Sequence, residues 1–222
     1  MASFRLQISR SLTCVLSRAV FPIFAFPDLA GSRCCHKIKT RIGTATSAMT
    51  KLDKIWKSKD ISFKSKVKLY KSLVLSILLY GCECWTLTAE TTKRIQTFET
   101  KCYRRILGIS WAERKTNNFV LEQVTVLSGP QEPLLSIIKR RKLVYFGHVT
   151  RHDSIPKTVL QGTVEGSRRR GRQTKNWMQN VREWTNLDSP TLLRMAEDRD
   201  RWRDFAYDTS ILPPLRPQRL GD

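Results

Sequence analysis

Apolar residues recur every three or four positions along most of this chain, and that spacing predicts helices. Between Ser62 and Tyr80, Val67, Tyr70, Val74, Ile77 and Leu78 fall on one face, and Gly81 stands where that helix should end. A second stripe, Ile95, Phe98, Cys102 and Ile106, predicts a helix from about Thr88 to Leu107, with Gly108 as its stop. A third is predicted to start at Pro133 and run to Phe146, closed by Gly147. From about Thr174, Trp177, Val181 and Trp184 mark a fourth. A fifth starts at Ser189 as N-cap with Pro190 behind it, and carries Leu192, Ala196, Trp202 and Phe205 on its apolar side. Strand evidence is confined to Phe119–Leu127, where β-branched residues are few. The fold class expected is mainly α: a helical bundle followed by a smaller, helical, Arg-rich C-terminal region.

Three stretches lack this periodicity. Residues 1–36 are rich in Ser and Arg, with no acid before Asp28, which fits either an unstructured leader or a mitochondrial presequence. Gly162 to Arg172 combines three glycines with four arginines and reads as a loop. Residues 208–222, with Pro213, Pro214 and Pro217, read as a loose tail. The expected organisation is a leader (1–36), a helical region (37–112), a basic C-terminal region (113–207) and the tail.

Charge sharpens the picture. Across 222 residues, 40 Lys+Arg face 19 Asp+Glu, a net charge of +21. The excess is +6 over residues 1–50, +8 over 51–110 and +7 over 111–172, and it vanishes over 173–222. A solubilising surface would not stop so abruptly; the pattern points to a polyanionic partner, RNA or DNA. The candidate contacts are Lys64, Lys66, Lys68 and Lys71, then Arg104 and Arg105, then the run Lys139, Arg140, Arg141 and Lys142. In the glycine-punctuated loop, Arg168, Arg169, Arg170 and Arg172 can approach phosphates closely and grip them bidentately.

Other chemistries find little support. No apolar run approaches the roughly 18 residues of a membrane span. Six cysteines in a chain of this length read as reduced thiols. Cys82, Cys84, His148 and His152 form a poor zinc set, because the cysteines are spaced too tightly, and Cys34, Cys35 and His36 are adjacent rather than spaced. No nucleophile motif or phosphate loop is present, so neither a catalytic residue nor a cofactor nor a small-molecule substrate is expected. The tryptophans Trp85, Trp111, Trp177, Trp184 and Trp202 read as core residues rather than base-stacking platforms.

Five segments in order carry a resemblance: LLYGCECW ending at Trp85, FETKCYRRILGISW (98–111), RRKLVYFGHVTRHD (140–153), GSRRRGRQTKNW (166–177) and AEDRDRWRDF (196–205). The series, with the Asn pair at 117–118 between its second and third members, resembles the C-terminal part of non-LTR (LINE-type) retrotransposon endonuclease–reverse transcriptases. It covers roughly residues 37–207. Gln173 departs from it where Pro is usual, and Cys84 where Thr or Ser is usual. The resemblance implies a helical thumb and the region behind it, which grip the template–primer duplex while a separate palm copies it. Polymerase chemistry needs paired aspartates holding two metal ions, and this sequence has no such pair; its aspartates in 198–208 look like ion-pair partners within a helix. A catalytically incomplete, nucleic-acid-binding fragment is therefore expected. The alternative is a decayed or domesticated transposon product with an interaction role or none. Its location would be nuclear or cytoplasmic, or mitochondrial if the leader works as an address.

Overall fold

The computed structural model of the chain describes residues 31–152, 157 and 175–211. Most of the leader, the loop carrying Arg168, Arg169, Arg170 and Arg172, and the last eleven residues lie outside the described residues. What is described is mainly α, with no strand among those residues.

Helix α1 spans Gly31–Lys51 and α2 Asp53–Lys57. Helix α3 begins at Phe63–Leu69, continues through a wider π-helical turn at Tyr70–Leu75 and ends in Ser76–Leu78. Ser62 caps it by accepting the Ser65 N–H. The π turn shifts the apolar phase, so that Val74 and Leu75 are both buried. Gly81 then takes a left-handed conformation (φ 68°), open to glycine at little cost, and leads into a 3-10 turn at Cys82–Cys84.

Helix α4, Ala89–Leu107, opens on a capping box between Thr88 and Thr91 and closes at Gly108 (φ 73°), as its sequence predicts. Ile95, Phe98, Cys102 and Ile106 are all buried along it. After a 3-10 turn at Trp111–Glu113 comes α5, Asn117–Ser128. That helix corrects the strand reading of Phe119–Leu127. Thr116 accepts the Phe119 N–H as its cap, and Val120 and Val124, one turn apart, are buried where α5 packs on α3 and α4. Helical spacing and a cap outweigh a weak β preference.

Helix α6, Leu134–Arg151, runs five residues beyond the expected end. Gly147 does not close it. A Cβ built there would lie 2.3 Å from Cδ1 and 2.4 Å from Nε1 of Trp202, so the glycine serves close approach of an indole to helix backbone. Helix α7 is Trp177–Thr185, capped by Asn176, whose side chain accepts the Gln179 N–H. The predicted fifth helix is two: α8, Ser189–Glu197, and α9, Arg199–Ile211. Ser189 is the first helical residue rather than the cap, which is Asp188. The break falls at Asp198, whose Oδ1 accepts the N–H groups of Asp200 and Arg201, each at 3.1 Å, and so caps α9. Helix α9 also extends into the stretch read as tail.

Two cores result. The larger gathers apolar residues from Ile38 to Ile138 on α1–α6. The smaller gathers Leu143, Phe146, Trp177, Val181, Leu192, Ala196, Trp202 and Ala206. Helix α6 serves both, Leu134 and Ile138 with its first half, Leu143 and Phe146 with its second. Among the described residues no helix is long and apolar enough to cross a membrane.

Candidate nucleic-acid interface

The basic residues divide sharply between those that face solvent and those that hold the fold. On α3, Lys64, Lys68 and Lys71 stand at i, i+4 and i+7, exposed, with no hydrogen bond or ion pair among the described residues. Lys66 turns the other way. Its ammonium donates to the carbonyls of Trp56 and Ser58, both at 2.7 Å, and so caps the C-terminus of α2.

Arg104 donates to the Lys115 carbonyl and to Asn117 Oδ1, holding the turn before α5. Arg105 donates to Asp53 Oδ1 at 2.8 Å and to Thr50 Oγ1 at 3.2 Å, tying α4 to the end of α1 and the start of α2. Lys57 and Arg105 together hold the Asp53 carboxyl below the usual carboxylate range.

The run on α6 is largely engaged in holding the fold. Arg140 grips Glu132 with both guanidinium nitrogens, at 2.7 and 3.0 Å. Arg141 is exposed but leans on the Leu79 carbonyl at 3.3 Å, 3.9 Å from Glu83. Lys139 is half-buried, which depresses its pKa, and lies over the Trp184 ring. Lys142 is wholly buried. Its ammonium donates to the Trp85 carbonyl and to Asn180 Oδ1, each at 3.0 Å, between the rings of Trp177 (4.6 Å) and Trp184 (5.2 Å). A group so enclosed takes no phosphate, so Lys142 leaves the candidate set. The reason is packing that the charge pattern cannot reveal.

The same region accounts for the spaced motifs. Asn180 accepts the Leu87 N–H (2.7 Å) and donates to the Leu87 carbonyl (2.9 Å). Trp177 Nε1 donates to the Glu83 carbonyl, Trp202 Nε1 to the Leu143 carbonyl and Arg151 to the Ala196 carbonyl. Residues of the segments around Trp85, Lys142 and Trp177 thus fasten the two cores together, while that around Trp202 closes the smaller one. Trp85, Trp177 and Trp202 are buried and Trp184 partly so, whereas Trp111 is 93% exposed, contrary to its core reading.

One basic feature escapes the periodicity. An open groove of about 500 Å³ runs between α1 and α4. Lys39 flanks it from α1, and Lys93, Arg94 and Lys101 from α4, with Glu90 as its acid. Arg94 meets Glu90 at 2.9 Å and Lys39 approaches it at 3.9 Å, leaving Lys93 and Lys101 exposed and without partners among the described residues. The spacing 93, 94, 97, 101 on one amphipathic helix was the available signal, but only the packing of α1 turns it into a groove.

Elsewhere, titratable groups belong to the core. Burial pushes the Cys82 and Cys102 thiols up to about 12. Glu99 accepts the Leu134 N–H at the start of α6, and burial raises its carboxyl to about 7. His148 and His152, by contrast, are exposed, their rings tilted at 56° to each other one turn apart. Among the described residues, no three His, Cys, Asp or Glu side chains gather as a metal site would require.

Over 148 residues, 63% of its length, the chain is 30% identical to a putative uncharacterized transposon-derived protein of Caenorhabditis elegans. It spans about half the length of that relative, 53%. No family pattern and no solved structure matches. The likeness hints at a transposon origin.

Proposed function

We propose that this chain is a transposon-derived, non-catalytic nucleic-acid-binding module, corresponding to the region behind the palm of a non-LTR reverse transcriptase. The observation that carries the reading is the exposed row Lys64, Lys68 and Lys71, unneutralised in a chain of net charge +21. Ammonium groups on successive turns of one helix are placed to follow a phosphate backbone. They would bind it without regard to sequence, because phosphate contacts position and do not specify. The order of the five motifs supports the finer family assignment, and the transposon-derived relative is compatible with it.

The test is a triple variant, Lys64→Gln, Lys68→Gln and Lys71→Gln, titrated with unrelated duplexes over a range of salt. Each lost duplex contact removes about 0.9 from the slope of log K against log salt, so the variant should lose roughly 2.7 units. Intact binding with an unchanged slope would refute the assignment. A second reading, a domesticated protein with an interaction role, is favoured by the exposed apolar residues Trp111, Leu121, Val126 and Leu127. It predicts capture of a protein partner and no affinity for oligonucleotides.

A further inference from the structure

We propose that the groove between α1 and α4 seats a short stretch of single-stranded nucleic acid; this rests on the nucleic-acid reading above and names the form of ligand. The groove has two distinct surfaces. Its rim carries Lys39, Lys93, Arg94 and Lys101 against the single acid Glu90, and between them the accessible apolar surface is the partly exposed Ile42 with the lysine methylene stems, over a floor closed by the buried Phe98. From Glu90 to Lys101, α4 advances about 16 Å at ~1.5 Å per residue. That length matches on the order of four to five nucleotides at the ~3.4 Å rise of a stacked strand.

Charge complementarity selects a polyanion, and the apolar lining selects among polyanions. A duplex turns its paired bases inward and offers phosphates and groove edges, so the partly exposed Ile42 and the lysine stems beside it would gain nothing. A single strand offers both parts. Its phosphates meet the rim cations, while its base faces cover the apolar lining and leave water. Glu90 opposes this binding. It occupies Arg94 and lies near Lys39, so only Lys93 and Lys101 are available at full strength in the empty groove.

The experiment titrates the full chain with fluorescein-labelled oligo(dT), a strand without self-pairing, over a range of salt. Lys93→Gln with Lys101→Gln should weaken binding and flatten the slope of log K against log salt by roughly 1.4 units, at about 0.7 per single-strand contact. Glu90→Gln should act in the opposite sense, tightening binding by freeing Arg94. Lys59→Gln with Arg182→Gln, exposed positions outside the groove, should leave the slope unchanged. If the chain binds oligo(dT) but neither groove variant alters it, the groove proposal fails and the broader reading survives. If polyphosphate of matched length binds as tightly as oligo(dT), the bases contribute nothing and the single-strand assignment is overturned. If the unaltered chain binds no oligonucleotide at all, the broader reading falls and takes this one with it.

Discussion

Gly147→Ala is a substitution whose sign separates two physical accounts. Gly147 lies inside α6, four residues from its end. Helix propensity alone makes alanine there favourable by about 1 kcal/mol. The packing opposes it. A Cβ would lie 2.3 and 2.4 Å from two atoms of the Trp202 indole and 3.0 Å from a guanidinium nitrogen of Arg151. Relaxed carbon contacts need about 3.5 Å or more, so the indole must retreat by roughly 1 Å. It has little room: Trp202 is 1% exposed and rests against Phe146 and Phe205. Its retreat also stretches the 2.8 Å bond to the Leu143 carbonyl, worth about 1 kcal/mol. Overpacking of this kind costs typically about 1–3 kcal/mol, so the net expectation is a loss of about 1–3 kcal/mol. Urea denaturation followed by tryptophan fluorescence measures it. A smaller loss for Gly147→Ala in a Trp202→Phe background would trace the cost to the indole. A gain of about 1 kcal/mol would show that helix propensity governs the site and that the close approach is wrong.

Asn180→Leu should cost about 3 kcal/mol or more in the same assay, because it strips partners from both backbone groups of Leu87 and one from Lys142; a loss below about 1 kcal/mol would sink the fastening role. Burial pushes the Glu99 carboxyl from its ordinary 4.5 up to about 7 in the fold. The folded state therefore holds the extra proton between those values, and stability falls as pH rises from about 4.5 to 7. Glu99→Gln, which keeps an acceptor for Leu134, should remove that decline, up to roughly 3 kcal/mol at ~1.36 per pH unit; an unchanged pH profile refutes it. Trp111→Ala should change stability by no more than about 0.5 kcal/mol, whereas Trp202→Ala should cost about 3–5. Equal losses for the two would contradict their burial.

Helices were legible because apolar spacing and caps agree: the stripe Ile95, Phe98, Cys102, Ile106 between Thr88 and Gly108 states its own limits. Gly147 misled because a glycine needed for close approach and one needed for a turn look alike until the facing residue, 55 positions away, is known. Asp198 misled because a capping carboxylate and an ion-pairing one are the same residue. Among the cations, position alone separated nothing. Lys64 and Lys66 are two residues apart, yet one faces solvent and the other caps α2. Lys142 was indistinguishable from Arg141 until Asn180 and two indoles surrounded it. Of the groove only the α4 half, at 93, 94, 97 and 101, was legible, since the other half comes from α1.

The most direct test of the central claim is the salt dependence of binding by the unaltered chain to two duplexes of unrelated sequence. The account predicts measurable affinity for both, equal within a few-fold, with log K falling against log salt at a slope of about −2.7 or steeper, as three or more phosphate contacts require. No binding at low salt, a slope near zero, or affinity for one sequence alone would contradict it.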